Sequence, residues 1–222
     1  SLYIRPFVIA TTPSLGVHAA HDYIFCIITC PVGAYYKEGI NPVRIYVENQ
    51  DVRAVRGGTG YTKCGGNYAA SIRAGERAEE QGYAQVLWLD GVHRRYIEEV
   101  GSMNVLFKIG GTVITPALTG SVLPGITRKS CIELLKSWGV PVEERLITAE
   151  ELFDAAEAGR LEEAFGSGTA AVVSPIGEMG WGERHVTVNG GQIGALTRKL
   201  YDTLTGIQWG TVSDPFGWTL KL

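Results

Sequence analysis

The stretch Gly57-Gly58-Thr59-Gly60-Tyr61-Thr62-Lys63-Cys64-Gly65-Gly66-Asn67-Tyr68 places one lysine among five glycines, directly ahead of a helix-forming run. A backbone with so few side chains can approach a flat ligand closely. Composition alone favours a plainer reading, a flexible surface loop with a solvated lysine. A lysine that forms an imine needs a depressed pKa and a fixed position, and local sequence supplies neither. The surroundings of the segment decide between the two.

Downstream, Asn67 to Gln81 is rich in Ala, Glu and Arg and is followed by Gly82, which predicts a helix closed by a glycine cap; Gln85-Val86-Leu87-Trp88-Leu89 predicts an apolar strand. Gly110-Gly111, between Val105-Leu106-Phe107-Lys108-Ile109 and Thr112-Val113-Ile114-Thr115, predicts a hairpin. Ile126 to Trp138 carries Ile132, Leu135 and Trp138 at helical spacing and stops at Gly139. Thr148 with Glu151 forms a capping box that opens another helix. Ala170-Ala171-Val172-Val173 and His185-Val186-Thr187-Val188 predict further strands, and Ile193 to Thr205 a last helix. Hairpins mixed with scattered helices make the fold class α+β rather than doubly wound.

Upstream, residues 2 to 10 and 23 to 30 predict two strands joined by the loop Thr11 to Asp22, which Pro13 and Gly16 punctuate. Cys26 and Cys30, four apart on the second strand, face one side and are expected as buried thiols rather than a metal or redox pair. A polar stretch with glycine and proline runs to Pro42 before the β-branched run from Val43 to Val47, which puts a domain boundary near residue 40.

An apolar content of 45% in 222 residues supports a substantial core. With 20 basic and 23 acidic side chains the formal charge is -3, and neither sign forms a block that would bind nucleic acid or a membrane surface. The longest apolar stretch, Tyr23 to Val32, is too short to span a bilayer. Four cysteines are too few for a disulfide scaffold and lack the spacing of a zinc site, so no metal is expected. A soluble, cytoplasmic protein acting on small molecules is the expectation.

Three further segments bear on Lys63: Tyr96-Ile97-Glu98-Glu99-Val100-Gly101-Ser102-Met103-Asn104, Leu123-Pro124-Gly125-Ile126-Thr127-Arg128 and Phe165-Gly166-Ser167-Gly168-Thr169-Ala170. With Lys63 and Gly65-Gly66-Asn67-Tyr68 they occur in the order of the signatures of fold-type IV pyridoxal-phosphate enzymes, and the chain closely resembles the branched-chain amino acid aminotransferases. Tyr3-Ile4-Arg5-Pro6, Ser14-Leu15-Gly16-Val17 and Gly33-Ala34-Tyr35 extend the resemblance over nearly the whole chain.

The resemblance implies an α+β large domain at 43–222, a linker at 31–42 and, at 1–30, the C-terminal remnant of a small α/β domain. It implies pyridoxal 5'-phosphate as cofactor and transamination of leucine, isoleucine or valine with 2-oxoglutarate. Lys63 would hold the cofactor as a Schiff base and move the substrate proton. Glu99 would face the ring nitrogen and keep it protonated, and if its segment is a strand, Glu98 points the other way. Tyr68 would donate to the phenolic oxygen. The amides of Ile126 and Thr127, at a helix start, and the Thr169 hydroxyl would hold the phosphate. The Ala170 amide, beside Thr169, and the Tyr3 hydroxyl would take the substrate carboxylate, and Arg5 the second carboxylate of glutamate. Tyr35 and Val32 would line the apolar pocket, with Leu15 and Val17 arriving from a neighbouring subunit of a homodimer.

Two departures stand out. Where vertebrate relatives carry a CxxC pair, this chain has Ala171 and Ser174, so no thiol switch is expected. The chain starts at Ser1 and runs straight into a strand-like segment, and the family's phosphate-binding arginine, in a small domain of about 100 residues upstream, has no match here. A fragment or truncated product, with weaker cofactor binding, is the expectation. Alternatives left open are a D-amino acid aminotransferase, an aminodeoxychorismate lyase, and a catalytically silent fragment.

Overall fold

The computed structural model describes residues 2–33 and 40–220. The chain divides into two compact units, Ser1–Gly39 and Ile40–Leu222.

In the first unit, β1 (Leu2–Ala10) pairs antiparallel with β2 (Tyr23–Pro31), from Leu2 opposite Pro31 to Ala10 opposite Tyr23. The loop between them is held at its base by the Thr12 hydroxyl, which accepts from the amides of His21 and Asp22, each at 2.9 Å. A two-stranded ribbon has no second layer of its own. Ile4, Val8, Ile24 and Ile28 therefore stay exposed, and so does Cys30, with Cys26 half-buried. The expectation of two buried thiols is corrected by this: alternation puts them on one side, but no described residue of the unit buries that side.

The second unit is a nine-stranded mixed sheet flanked by helices. Its strands are β3 (Val43–Glu48), β4 (Gln85–Leu89), β5 (Ile97–Val100), β6 (Asn104–Ile109), β7 (Thr112–Pro116), β8 (Val142–Arg145), β9 (Leu161–Gly168), β10 (Val172–Trp181) and β11 (Arg184–Thr187), and the spatial order is β5-β4-β3-β10-β9-β6-β7-β8, with β11 on β10. The pairs β10–β3, β3–β4 and β7–β8 are parallel and the others antiparallel. The helices are α1 (Gly65–Glu80), α2 (Ile126–Ser137), α3 (Ala149–Glu157) and α4 (Ala195–Trp209).

Strand alternation divides the core. On β6, Val105 and Phe107 join the cluster that holds Leu152 and Phe153 of α3, whereas Leu106 joins Leu134 and Leu135 of α2 and Leu200 of α4. On β4, Leu87 and Leu89 face the α3 cluster while Val86 and Trp88 pack under Ala74 and Ala78 of α1. Ala74 and Ala78 of α1 pack on Val86 and Trp88, and Thr62 and Lys63, ahead of that helix, line one cleft with Glu99 and Gly101 at the end of β5. The capping box forms as expected, the Glu151 amide donating to the Thr148 hydroxyl at 3.0 Å. One strand boundary shifts: residues 169–171 form the turn of the β9–β10 hairpin, in which Val172 pairs with Gly168, so Ala170 lies in the turn and not in the strand.

Candidate active site

Asn67, on the first turn of α1, fixes the glycine segment. Its side-chain amide donates to the carbonyls of Thr59 (2.8 Å) and Thr62 (2.9 Å) and accepts from the Thr59 hydroxyl (2.8 Å), tying the loop to the helix that follows. Lys63 is thus presented by an anchored loop. Its Nζ donates to the Tyr68 hydroxyl at 3.2 Å and lies 5.9 Å from the centre of that ring. Tyr68 is 47% exposed, which makes it a tyrosine facing a cleft and not a core residue.

The opposite wall is β5, with Ile97, Glu98, Glu99 and Val100 all buried. Its start is set by Asp90, whose carboxylate accepts from the amides of Val92, His93, Arg95 and Tyr96. Burial would raise the Asp90 pKa, but these four donors prevail and bring it down to about 2. The strand ends at Gly101, whose φ of +55° and contact with the Gln85 side chain leave no room for a Cβ.

The two carboxylates go to opposite sides. Glu99 Oε1 accepts from the Leu123 amide at 2.7 Å, and its Oε2 lies 3.4 Å from Arg53 Nε. Glu98 accepts from the Ser121 hydroxyl and lines a separate cavity with Arg56, His93 and Tyr96. Burial pushes the Glu99 carboxyl up to about 7, against the pull of the Arg53 guanidinium and the Leu123 amide; Glu98 adds to the rise and Lys63 opposes it. Burial raises Glu98 as well, opposed by the Ser121 hydrogen bond.

Arg53, Lys63, Asn67, Tyr68, Glu99 and Leu123 line one cleft. Ile126, Thr127, Thr169 and Ala170 lie outside that lining. Ile126 and Thr127 open α2, whose N-cap is Gly125 with no side-chain cap, so the positive end of the helix is left for another partner. A Cβ on Gly125 would collide with Asn104, whose side chain donates to the Leu123 carbonyl at 2.8 Å and so ties the helix start to the cleft wall. Thr169 and Ala170 are exposed at the tip of the β9–β10 turn.

Within the first unit, Tyr3 and Arg5 stand two apart on β1, Arg5 donating to the Tyr3 hydroxyl, and so present a guanidinium and a phenol on one face. Leu15 and Val17 are fully exposed on the loop, Val32 is 39% exposed, and Tyr35 lies outside the described residues.

In the sequence, Arg53 carries no mark of a role and Asn67 stands only as part of a motif. The signal for Asn67 was present, an Asn at the third position of a helix behind a glycine loop. Arg53 carried none, because its partner Glu99 is distant in the chain. Among the described residues, no group of three or more His, Cys, Asp or Glu could hold a metal ion, and no helix is long and apolar enough to cross a membrane.

A flat cofactor with an aldehyde, a phenolic oxygen, a ring nitrogen and a phosphate fits these residues: an exposed amine, a tyrosine hydroxyl beside it, a buried carboxylate across the cleft and an uncapped helix start next to Leu123. The chain belongs to the amino-transferase class IV family, whose model matches residues 2–179. Its fold is the α+β fold of the fold-type IV aminotransferases. It is 59% identical over 222 residues to branched-chain-amino-acid aminotransferase 2 of Bacillus subtilis, covering 100% of this chain and 61% of that protein. The Escherichia coli branched-chain amino acid aminotransferase structure superposes with a TM-score of 0.82 at 30% identity, over 98% of this chain and 69% of the other. The branched-chain aminotransferase from the thermophilic archaeon Thermoproteus uzoniensis, solved with norvaline, superposes with a TM-score of 0.77 at 30% identity, over 98% and 68%. The chain spans about 61% of the length of the Bacillus relative.

Proposed function

We propose that this chain carries the cofactor-binding part of a pyridoxal-phosphate aminotransferase that moves the amino group of leucine, isoleucine or valine to 2-oxoglutarate, as a cytoplasmic homodimer. The observation that carries the reading is the meeting of the Lys63 amine, the Tyr68 hydroxyl and the Glu99 carboxylate in one cleft of a class IV aminotransferase. Residues 43–222 are assigned as the large domain, 31–42 as the linker and 1–30 as the closing part of a small domain.

When bound, pyridoxal 5'-phosphate supplies an aldehyde carbon that exchanges amine partners and a ring that withdraws electrons from the substrate α-carbon. Lys63 Nζ would hold the cofactor, and its amine, once free, would take a proton from the substrate α-carbon and return it at the adjoining carbon. Tyr68 would donate to the phenolic oxygen. Glu99 would hold the proton on the ring nitrogen. The amides of Ile126 and Thr127 and the Thr169 hydroxyl would receive the phosphate. By the family resemblance, Tyr3 and the Ala170 amide would take the substrate carboxylate, Arg5 the second carboxylate of glutamate, and Tyr35, with Val17 from a neighbouring subunit, the apolar side chain of a branched-chain substrate.

Borohydride reduction of the cofactor-loaded protein, followed by peptide mass mapping, tests the central assignment. The expected product is a pyridoxyl group on Lys63, and an adduct on another lysine overturns it. Turnover of D-alanine in preference to leucine would overturn the substrate class alone.

A further inference from the structure

Arg53 is 8% exposed, and its guanidinium joins the two loops that frame the cleft: Nη2 donates to the Gly60 carbonyl at 3.3 Å and also to the Ser121 carbonyl. One nitrogen can serve both because the loops touch at Gly60, where a Cβ would collide with the Ser121 carbonyl and with the Ala54 side chain. So anchored, the guanidinium turns Nε to within 3.4 Å of Glu99 Oε2, and that Nε makes no hydrogen bond among the described residues. We infer that Arg53 is a positioning residue for Glu99: pinned by the carbonyls of the Lys63 loop and the Leu123 loop, it favours the ionised form of the buried Glu99 carboxylate and fixes it for the ring nitrogen of the cofactor.

Glu99 is only 3% exposed, and burial favours its neutral form. A neutral carboxylic acid cannot hold a proton on a pyridine nitrogen by charge. The titratable and charged groups facing Glu99 are Arg53, Lys63 and Glu98. Glu98 repels the charge, and Lys63 lends its amine to chemistry. Arg53 is the cation that stays. The planar fork of arginine is what the place demands, since a lysine ammonium cannot reach two carbonyls and still address the carboxylate. The ionic contact without a hydrogen bond leaves the carboxylate held by charge, and not saturated, on its Arg53 side.

The inference rests on the proposed cofactor role of Glu99, and its test is separable from that role. In cofactor-free protein the Glu99 side chain, labelled with carbon-13 and assigned with Glu99→Gln, is titrated by NMR. The midpoint expected is about 7, rising by about 1 to 3 units in Arg53→Met, which retains much of the apolar stem and removes the charge. An unmoved midpoint in the folded variant overturns the inference. If Arg53→Met does not fold, Arg53→Lys is titrated instead; a smaller rise is expected, and a midpoint at or below that of the wild type overturns it. Pyridoxal phosphate affinity at pH 7 should fall about tenfold or more with the raised midpoint, and unchanged affinity counts against the positioning role. Failure of borohydride trapping on wild-type Lys63 would instead sink the functional reading and leave the titration result standing.

Discussion

Glu98 and Glu99, neighbours on β5, are both buried and send their carboxylates to opposite sides of the strand, Glu99 to the Leu123 amide at 2.7 Å and the Lys63 cleft, Glu98 to the Ser121 hydroxyl and a different cavity. The two therefore separate cleanly in mutagenesis. Glu99→Gln removes the charge facing the cleft. Loss of a charged hydrogen bond, about 1.5 to 3 kcal/mol, should weaken cofactor retention by about one to two powers of ten and lower turnover at least as much. Glu98→Gln keeps the shape and should leave both nearly unchanged. Cofactor titration and turnover of the two variants give the check, and equal losses would contradict the assignment.

The pH dependence of stability carries the same signature. The folded-state pKa of Glu99, about 7, lies above its ordinary value of 4.5, so between those values the folded chain binds a proton that the unfolded chain has released. Stability of the cofactor-free protein is then fullest below pH 4.5 as far as this group is concerned, and is lost as pH rises towards and through 7, by about 3 kcal/mol in all. Glu98, also raised, acts with the same sign. Melting temperatures at pH 5 and pH 8 should differ less in Glu99→Gln than in wild type; an identical pH slope would count against the buried, raised carboxyl.

Gly60 sets the spacing of the loops. Gly60→Ala forces a Cβ against the Ser121 carbonyl, a backbone atom that cannot swing aside. The expected cost is about 1 to 3 kcal/mol of stability, measured by urea denaturation, together with weaker pyridoxal phosphate binding as the Lys63 loop and the Leu123 loop part. Wild-type stability and affinity in this variant would show that the contact relaxes freely.

Much of the molecule is legible locally. The helix after the glycine segment, the Gly110-Gly111 hairpin and the Thr148–Glu151 capping box each depend on residues within a few positions of one another, so the chain writes them where they form. Lys63 is found the same way, from the glycines before it and the Asn67-Tyr68 pair after it. Other elements carry no such mark. The sequence Val-Glu-Glu-Arg of β8 has no apolar alternation and becomes a strand only because β7 offers it an edge. The turn at 169–171 follows from pairing with β9, and the exposure of Cys30 from its place on a ribbon of two strands.

The sequence by itself determined which groups could do chemistry here: a lysine in a glycine loop, a tyrosine five residues on, a pair of adjacent carboxylates and a helix opening on Gly125. The family resemblance singles out Glu99 of that pair; only the tertiary structure decided what surrounds it, because all four residues of β5 are buried and local hydropathy says nothing of their partners. Arg53 meets Glu99 through the packing of two loops against a shared strand end. That contact is long-range, made by folding, and no local pattern could have carried it.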